Sequence, residues 1–234
     1  MGLQRTHIVY KKVYYPHYFL CNYLPRLAGA DNLSRSLLRF KEGRQPDLDA
    51  WIDCTLEMAG GIPLPPGAVI LRALHHQETT ARDDKPSVLD LLGQRLADHF
   101  QASYRPTLIG KKRTTSEIKS FTRTERRTEL QDVYFTTPIP LPPATTSCLL
   151  IDDILTTGTT FRMIIAALHL TFPSLPVQLF TLARSDYDKT LNRSTALRGQ
   201  NYQLGQSGWT VVEEELQQEY SSGKLRECIR ANSF

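Results

Sequence analysis

The chain has 234 residues, of which 41% are hydrophobic and 22% are charged, an ordinary balance for a soluble globular protein. This length permits one well-buried core, or a core with a small appended subdomain. The sequence contains no internal repeat and no low-complexity stretch, which excludes a repeat array and a chain of biased composition.

The net charge of +4 is unevenly distributed along the chain. Residues 111–127 contain seven basic and two acidic side chains and carry +5, so the remainder of the chain sums to about −1. A basic region this local indicates an anionic ligand, either a phosphorylated metabolite or a nucleic acid.

Membrane insertion and secretion are not indicated by the sequence. The longest wholly apolar runs, such as residues 164–168, are far shorter than the ~18–20 residues that cross a bilayer. The first residues lack the apolar core of a secretory signal. The four cysteines are far apart and form no Cys-x-x-Cys pair, so we expect neither a zinc site nor a disulfide framework, and we expect a cytoplasmic location.

The first half of the chain alternates between strand and helix patterns after an aromatic opening segment. The predicted ranges are a strand over 7–15 ended by Pro16, helices over 31–43 and 46–61, a buried strand over 68–74 and a helix over 87–100. The basic region follows and shows no clear period before about Thr124.

The second half repeats the alternation and then changes character. The predicted ranges are a strand over 146–151, a helix over 161–172, a strand over 177–183 and one or two amphipathic helices over 209–229. Strands separated by helices of this length indicate right-handed crossovers, and hence an α/β fold with a parallel sheet flanked by helices.

The segment "CLLIDDILTTGTT", residues 148–160, places two adjacent carboxylates directly after a buried strand. Ligands bind at the carboxyl ends of the strands in an open parallel sheet, where Asp152 and Asp153 would lie. Gly158 permits a tight turn, and the surrounding threonines supply hydroxyls near the unpaired N–H groups at the start of a helix. The segment therefore predicts a site for a sugar phosphate.

Two other sites with an acid pair fit the sequence less well. A Walker B magnesium site requires a G-x-x-x-x-G-K-[ST] loop, and the chain has none. A phosphate-receiver domain has its acid pair after the first strand, whereas only 81 residues follow Asp153 here.

The same segment closely resembles the phosphoribosyl-pyrophosphate (PRPP) motif of type I phosphoribosyltransferases, which has four apolar residues, two acids and a Thr-Gly loop. The wider chain, over about 31–186, is most similar to the competence-protein F branch of that family. Residues 37–52 resemble its early Lys-Tyr-x-Gly helix region, with Phe40 and Lys41 in place of Lys-Tyr. Residues 113–135 resemble its hood stretch, in which an Arg precedes an Asn by three positions, and Arg126 matches that Arg.

The chain departs from this branch at several positions. An aromatic segment replaces the cysteine zinc ribbon, and Glu129 stands where Asn is expected. The loop after "AVIL", residues 68–71, reads "RALHHQE" instead of the branch's usual Arg-Gly-[Phe/Tyr]-Asn-Gln run. The residues after about 187 match no part of the family that we can identify.

The resemblance implies a Mg²⁺-dependent phosphoribosyltransferase and assigns a role to each matching residue. Asp152 and Asp153 would bind the ribose hydroxyls and orient Mg²⁺, through water, while the remaining assignments cover the two ends of PRPP. The 5-phosphate would be held by Thr156, Thr157, Gly158, Thr159 and Thr160, and the pyrophosphate by Arg72, Ala73, Leu74, Lys112 and Arg113, with Arg126 as a hood contact. His75, His76 and Glu78 are acid–base candidates, against the alternative that they are exposed loop residues.

The predicted organisation is a hood segment over 1–30, a transferase-like core over 31–186 and a C-terminal helical extension over 187–234. The implied partners are PRPP and a small-molecule acceptor, with homo-oligomerisation and a protein or nucleic-acid partner as further expectations. Two alternatives to an active transferase stay open. One is a PRPP- or nucleotide-binding regulatory module with reduced catalysis, and the other is a partner-dependent effector whose basic face meets nucleic acid.

Overall fold

A computed structural model describes residues 3–23, 32–116, 123–185, 202–205 and 208–211, together with residues 225, 227 and 229. The strands are β1 (Gln4–Tyr10), β2 (Val13–Tyr23), β3 (Val69–Arg72), β4 (Ser103–Tyr104), β5 (Ile109–Lys111), β6 (Tyr134–Thr136), β7 (Cys148–Leu155), β8 (Val177–Ser185), β9 (Tyr202–Gly205) and β10 (Gly208–Val211). The helices are α1 (Asn32–Lys41), α2 (Asp47–Ala59), α3 (Val88–Phe100), α4 (Arg123–Leu130) and α5 (Thr159–Thr171).

The central sheet has six strands in the order β1-β2-β8-β7-β3-β4. All neighbouring pairs are parallel except β1 and β2, which form an antiparallel hairpin. β7 lies between β8 and β3, and its first four residues are completely buried because helices cover both faces of the sheet. The predicted α/β fold with a parallel sheet flanked by helices is confirmed.

Two hydrophobic cores lie on opposite faces of this sheet. Successive side chains of a strand point to opposite faces, so Leu149 and Ile151 of β7 enter one core while Cys148 and Leu150 enter the other. The first core is covered by α1, α2 and α3, and the second by α5 and the small antiparallel pair of β5 and β6. This alternation explains why β7 reads as a continuous apolar run.

The N-terminal aromatic segment forms two strands of the central sheet, and its assignment to a hood stays a prediction. β2 pairs in parallel with β8 from His17 onward, and β1 adds the edge strand beyond it. The prediction that Pro16 ends the strand is wrong, since β2 runs through it. Pro16 precedes His17, where the described pairing of β2 with β8 begins, and its described strand neighbour is β1. The N–H that proline lacks is therefore not needed for hydrogen bonds to β8.

The C-terminal residues also differ from expectation. The predicted helix from residue 209 is wrong at its start, because Gly208–Val211 is a strand paired antiparallel with Tyr202–Gly205. Leu225, Glu227 and Ile229 are helical, and the two apolar side chains are completely buried in the α1–α3 core. The domain boundaries at residues 30 and 186 remain predictions.

No helix in the described part of the chain combines the length and the hydrophobicity that a bilayer crossing requires.

His17 is completely buried between β8 and α5 and provides a test of this packing. Its Nε2 lies 2.8 Å from Thr181 Oγ1, and its Nδ1 has no hydrogen-bond partner among the described residues. Burial, reinforced by the positive charge of Arg184, lowers the pKa of His17 from 6.5 to about 3. The folded state therefore holds this ring neutral.

Below pH 6.5 the unfolded chain binds a proton at His17, whereas the folded chain binds one only near pH 3. The free energy of unfolding therefore decreases as the pH is lowered from 6.5 toward 3. We expect the free energy of unfolding to lose up to about 1.4 kcal/mol per pH unit from this group. When the free energy of unfolding is measured in urea at several pH values between 3.5 and 7, its dependence on pH should be weaker for His17→Gln than for the unmodified chain. The exposed control His99→Gln should keep the slope of the unmodified chain, and equal slopes in all three would contradict the assignment.

Candidate functional site

The acid pair lies inside β7 rather than after it. The strand continues to Leu155, four residues beyond the predicted end, and Asp152 still pairs with Thr181 of β8. Both carboxylates are half-buried, and each accepts a backbone N–H from the next residue, Asp153 N to Asp152 Oδ1 at 2.9 Å and Ile154 N to Asp153 Oδ1 at 2.6 Å. They lie at the edge where β3 ends, since Arg72 pairs with Ile151.

Lys41 completes this group, and the sequence analysis did not identify it as a site residue. Its Nζ lies 2.8 Å from Asp153 Oδ2, at the C-terminal end of α1. Burial alone would lower the pKa of the Lys41 ammonium, but the charges of Asp153 and Asp152 raise it above its ordinary value. For Asp152, burial and then the negative charge of Asp153 raise the pKa of the carboxyl. The pair is thus electrostatically unequal, with Asp153 neutralised by an ammonium and Asp152 close to another carboxylate.

The Thr-Gly loop joins this acid pair to α5. Gly158 adopts φ +71° immediately before the helix, a left-handed conformation that favours glycine. A Cβ there would lie 3.1 Å from Ile8 Cδ1 and 3.4 Å from Leu155 Cδ1, so β1 forms a wall against the loop. The tight turn directs the N-terminus of a 13-residue helix toward the sheet edge.

The threonines of the loop differ in exposure. Thr156 is exposed, Thr157 and Thr160 are half-buried and Thr159 is buried. The hydroxyls of Thr157 and Thr159 lie 2.9 Å apart and share a hydrogen bond. The loop thus places hydroxyls and helix N-terminal N–H groups together, the arrangement that binds phosphate in other proteins.

Arg162, in the first turn of α5, is a second residue that sequence reasoning missed. Its Nη1 donates to Thr157 O at 2.7 Å and its Nε donates to Val9 O at 3.1 Å. It therefore ties the Thr-Gly loop to β1. No sequence signal could have located it, because the second contact joins residues 153 positions apart.

Arg72 was expected to contact pyrophosphate, and that role stays a prediction, while the structure shows the partners that the side chain already has. Its side chain is 1% exposed and donates to Asp90 Oδ1 through Nε, to Ala73 O and Glu78 Oε2 through Nη1, and to Glu78 Oε1 through Nη2. With both carboxylates in place, its donors are occupied and its charge is neutralised. Arg72 therefore anchors the loop through these contacts.

The rest of this loop, residues 73–79, is also hydrogen-bonded within the protein. Ala73 donates its N–H to Ile151 O at 2.9 Å, so this group is part of the sheet and cannot also bind pyrophosphate. Leu74 follows with a buried side chain. His75 N donates to Glu78 Oε2 at 2.7 Å, which folds the loop into a turn around the Glu78 carboxylate. The adjacent rings of His75 and His76 are 3.9 Å apart at the turn.

Lys112 and Arg113 are exposed beside this loop, after β5. Arg113 donates to the Glu129 carboxylate at 3.0 Å and to the Glu129 carbonyl at 2.8 Å, and Ser116 N donates to the same carboxylate at 2.8 Å. The Ser116 N–H and then Arg113 lower the pKa of Glu129. Glu129 thus links residues 113–116 to α4. The side chain of Arg126 lies outside the described residues.

The carboxylate oxygens of the acid pair are the kind of ligand that Mg²⁺ prefers. Among the described residues no group of three or more His, Cys, Asp and Glu side chains could hold a metal ion. Mg²⁺ commonly uses only one or two carboxylates and completes its shell with waters and phosphate oxygens. Asp152 and Asp153 are therefore sufficient as protein partners for Mg²⁺ that arrives with a phosphorylated ligand.

Substitution of Asp90 in α3 tests the importance of the buried hydrogen bonds around Arg72. It accepts Arg72 Nε at 2.5 Å, Tyr104 Oη at 2.7 Å and Ser87 N at 2.7 Å, and these donors lower its pKa although burial opposes the shift. Asp90→Ala should lower the free energy of unfolding by about 3 kcal/mol, because it removes one counter-charge of a buried guanidinium. Urea unfolding measures this loss. The exposed control Asp98→Ala on the same helix should change it by no more than about 0.5 kcal/mol, and equal small losses would contradict the network's importance.

Comparison with known proteins gives limited similarity. No protein-family model matches the chain, and no curated protein matches it. Among solved structures, the adenine phosphoribosyltransferase of Leishmania donovani is similar at 13% identity and a TM-score of 0.30, over 70% of this chain and 76% of that chain. The adenine phosphoribosyltransferase of Leishmania tarentolae is similar at 13% identity and a TM-score of 0.26, over 70% and 83%. Similarity at this level leaves the function to be argued from the site.

Proposed function

We propose that the chain is a type I phosphoribosyltransferase, which binds Mg-PRPP and transfers its 5-phosphoribosyl group to a nucleophile with release of pyrophosphate. One observation carries this proposal. The acid pair ends a central parallel strand and leads, through a glycine at positive φ, into the N-terminus of α5. Ribose-binding carboxylates and a phosphate-binding helix start are thereby adjacent at one sheet edge.

The 5-phosphate end of PRPP would lie in the Thr-Gly loop. N–H groups of the first turn of α5 and the hydroxyls of Thr156, Thr157, Thr159 and Thr160 supply hydrogen bonds to phosphate oxygens. Gly158 permits the tight turn that presents these groups, and a Cβ there would lie 3.1 Å from Ile8 Cδ1. The positive end of the α5 dipole favours the doubly charged phosphate.

The ribose would lie over the acid pair. Carboxylate oxygens accept hydrogen bonds from its 2- and 3-hydroxyls, and Lys41 holds Asp153 in place through its 2.8 Å ion pair. Bound Mg²⁺, held by Asp152 and Asp153 through water, would neutralise charge on the pyrophosphate. Lys112 is exposed after β5 and would be available for the leaving group. Arg113 is bonded to Glu129, and Arg126 belongs to α4.

The reaction breaks the bond from C1 of the ribose to a pyrophosphate oxygen and forms a bond from C1 to the nucleophile. Pyrophosphate leaves with the electron pair of the broken bond. A base nitrogen or ammonia supplies the electron pair of the new bond to C1 and then loses a proton. The transition state resembles an oxocarbenium ion, as in glycoside hydrolysis. Little covalent work falls to the protein, which holds the donor in position and stabilises charge.

A second candidate is a regulatory module that binds PRPP or a nucleotide with reduced turnover. The observation in its favour is the loop of residues 73–79, in which Glu78 already occupies Arg72 and the His75 N–H. A pyrophosphate group would find few unoccupied donors there.

Calorimetric titration with PRPP, with and without Mg²⁺, tests the donor site. We expect binding that needs Mg²⁺, and an affinity at least about tenfold weaker for Asp152→Asn/Asp153→Asn, because charge-assisted hydrogen bonds to the ribose are lost. The matched control Asp83→Asn/Asp98→Asn removes two exposed charges elsewhere and should bind as the unmodified chain does.

Pyrophosphate release, assayed with a panel of bases and with ammonia, separates the two candidates. Release with one acceptor supports the transferase, and binding without release for every acceptor supports the regulatory module. Absence of PRPP binding by the unmodified chain would contradict the transferase, and absence of binding to both PRPP and nucleotides would contradict the regulatory module as well.

A further inference from the structure

Lys41 supplies a positive charge in direct contact with the acid pair. Its Nζ lies 2.8 Å from Asp153 Oδ2, while Asp153 Oδ1 accepts the Ile154 N–H at 2.6 Å, so both oxygens of Asp153 have a partner within the protein. Asp152 accepts the Asp153 N–H and forms no ion pair with the residues that the structure describes. When both carboxylates are ionised, the group of three side chains carries a net charge of −1 instead of −2, because one ammonium lies beside two acids.

The anchoring of α1 fixes the place from which Lys41 reaches the acid pair. Phe40, the preceding residue, is completely buried in the α1–α3 core. Arg39 donates to the buried Asp47 carboxylate of α2 at 2.6 Å and 3.1 Å, and Ser36 donates to the same carboxylate. The end of the helix is therefore held on two sides, while the Lys41 side chain remains 29% exposed at the edge of the site.

This ion pair is not required for a stable fold. The side chains of Lys41 and Asp153 are 29% and 20% exposed, and a partly exposed ion pair adds little to the free energy of unfolding. The ammonium has a larger effect on charged ligands, because its interaction with an ion at the acid pair acts over a few ångströms.

The charge of Lys41 acts in opposite directions on cations and on anions. It repels a free Mg²⁺ ion that approaches the carboxylates, and it weakens the repulsion that two carboxylates exert on an anion. Mg-PRPP is a net anion, since its phosphate and pyrophosphate groups together carry more negative charge than one Mg²⁺ neutralises. The same ammonium therefore disfavours the metal alone and favours the metal bound to a phosphorylated ligand.

We propose that Lys41 makes the acid pair selective for Mg²⁺ that is already bound to an anionic phosphorylated ligand, against free Mg²⁺. The metal and the ligand then enter the site together, and the empty site does not retain the metal. The inference rests on the proposed transferase for the identity of the phosphorylated ligand. Its first test uses the metal alone and does not depend on that identity.

Calorimetric titration with Mg²⁺ alone tests the exclusion of the free metal. Lys41→Met and Lys41→Gln should each bind Mg²⁺ about tenfold more tightly than the unmodified chain, because one repelling charge is removed. Lys41→Arg keeps the charge, and the exposed control Lys85→Met removes a charge elsewhere, so both should bind as the unmodified chain does. Burial and then the charge of Asp153 raise the pKa of Asp152, so the titration is made at pH 8.5 to keep both carboxylates ionised.

A double variant locates the gain in affinity. Asp153→Asn combined with Lys41→Met should lose most of the tighter Mg²⁺ binding, because the carboxylate that Lys41 neutralises is then absent. A gain that persists in the double variant would contradict Asp153 as the residue through which Lys41 acts.

Titration with Mg-PRPP at the same pH tests the preference for an anion. Lys41→Met should bind Mg-PRPP about tenfold more weakly, a change opposite in sign to its effect on Mg²⁺ alone. A purely structural role of Lys41 would weaken the binding of both, so the opposite signs separate the two explanations. Should Lys41→Met fail to fold, Lys41→Gln takes its place in both titrations.

Three results would count against these assignments. Equal Mg²⁺ affinity in the unmodified chain and in the neutral Lys41 variants would overturn the exclusion of free metal. Unchanged Mg-PRPP affinity in those variants would overturn the preference for an anion. Absence of PRPP binding by the unmodified chain, with the gain for Mg²⁺ alone intact, would overturn the transferase and leave the exclusion of free metal supported.

Discussion

The need to satisfy one buried guanidinium organises the ligand edge of this protein. Arg72 ends β3 with 1% of its surface exposed, and a charge removed from water must find partners. It finds them in Asp90 at the start of α3 and in Glu78 of the following loop. Tyr104 of β4 joins through Asp90, so one residue fixes a strand, a helix, a loop and the sheet's last strand relative to each other.

Three cations beside this edge are held in three different ways. Arg72 has two carboxylates, Lys41 has Asp153, and Lys111 has only carbonyls and a hydroxyl. The charges of Arg72 and Lys41 are therefore balanced by carboxylates, whereas Lys111 forms no ion pair with the described residues.

The sequence predicted the parts of this structure that depend on local pattern. The apolar run from Cys148 to Ile151, the helix after it and the strand after that all follow from periodicity, because both faces of a parallel sheet are covered. The acid pair and Gly158 were likewise recognisable, since they stand between an apolar strand pattern and a helix pattern, although β7 continues through the pair to Leu155.

The remaining features depend on contacts between distant residues. From its position at the end of a strand, Arg72 would be expected at the surface. The structure shows that it is buried by contacts with Asp90 and Glu78. The ion pair between Lys41 and Asp153 joins two elements that no periodicity relates. Pro16 is tolerated within β2 because it lies beside β1 and before the region that pairs with β8. This position depends on the order of strands in the sheet, which the local sequence does not reveal.

The wall that Ile8 builds beside Gly158 has a consequence for how the site is completed during synthesis. β1 and β2 emerge first, but β2 finds its parallel neighbour only when β8 is made, and the buried contact from His17 to Thr181 spans 164 residues. Closing such a contact is slow and leaves an aromatic hairpin waiting for its partner strand. The Thr-Gly loop therefore gains its contact with β1 among the last steps of folding, and a ligand that binds only the folded loop would stabilise the pairing of β2 with β8.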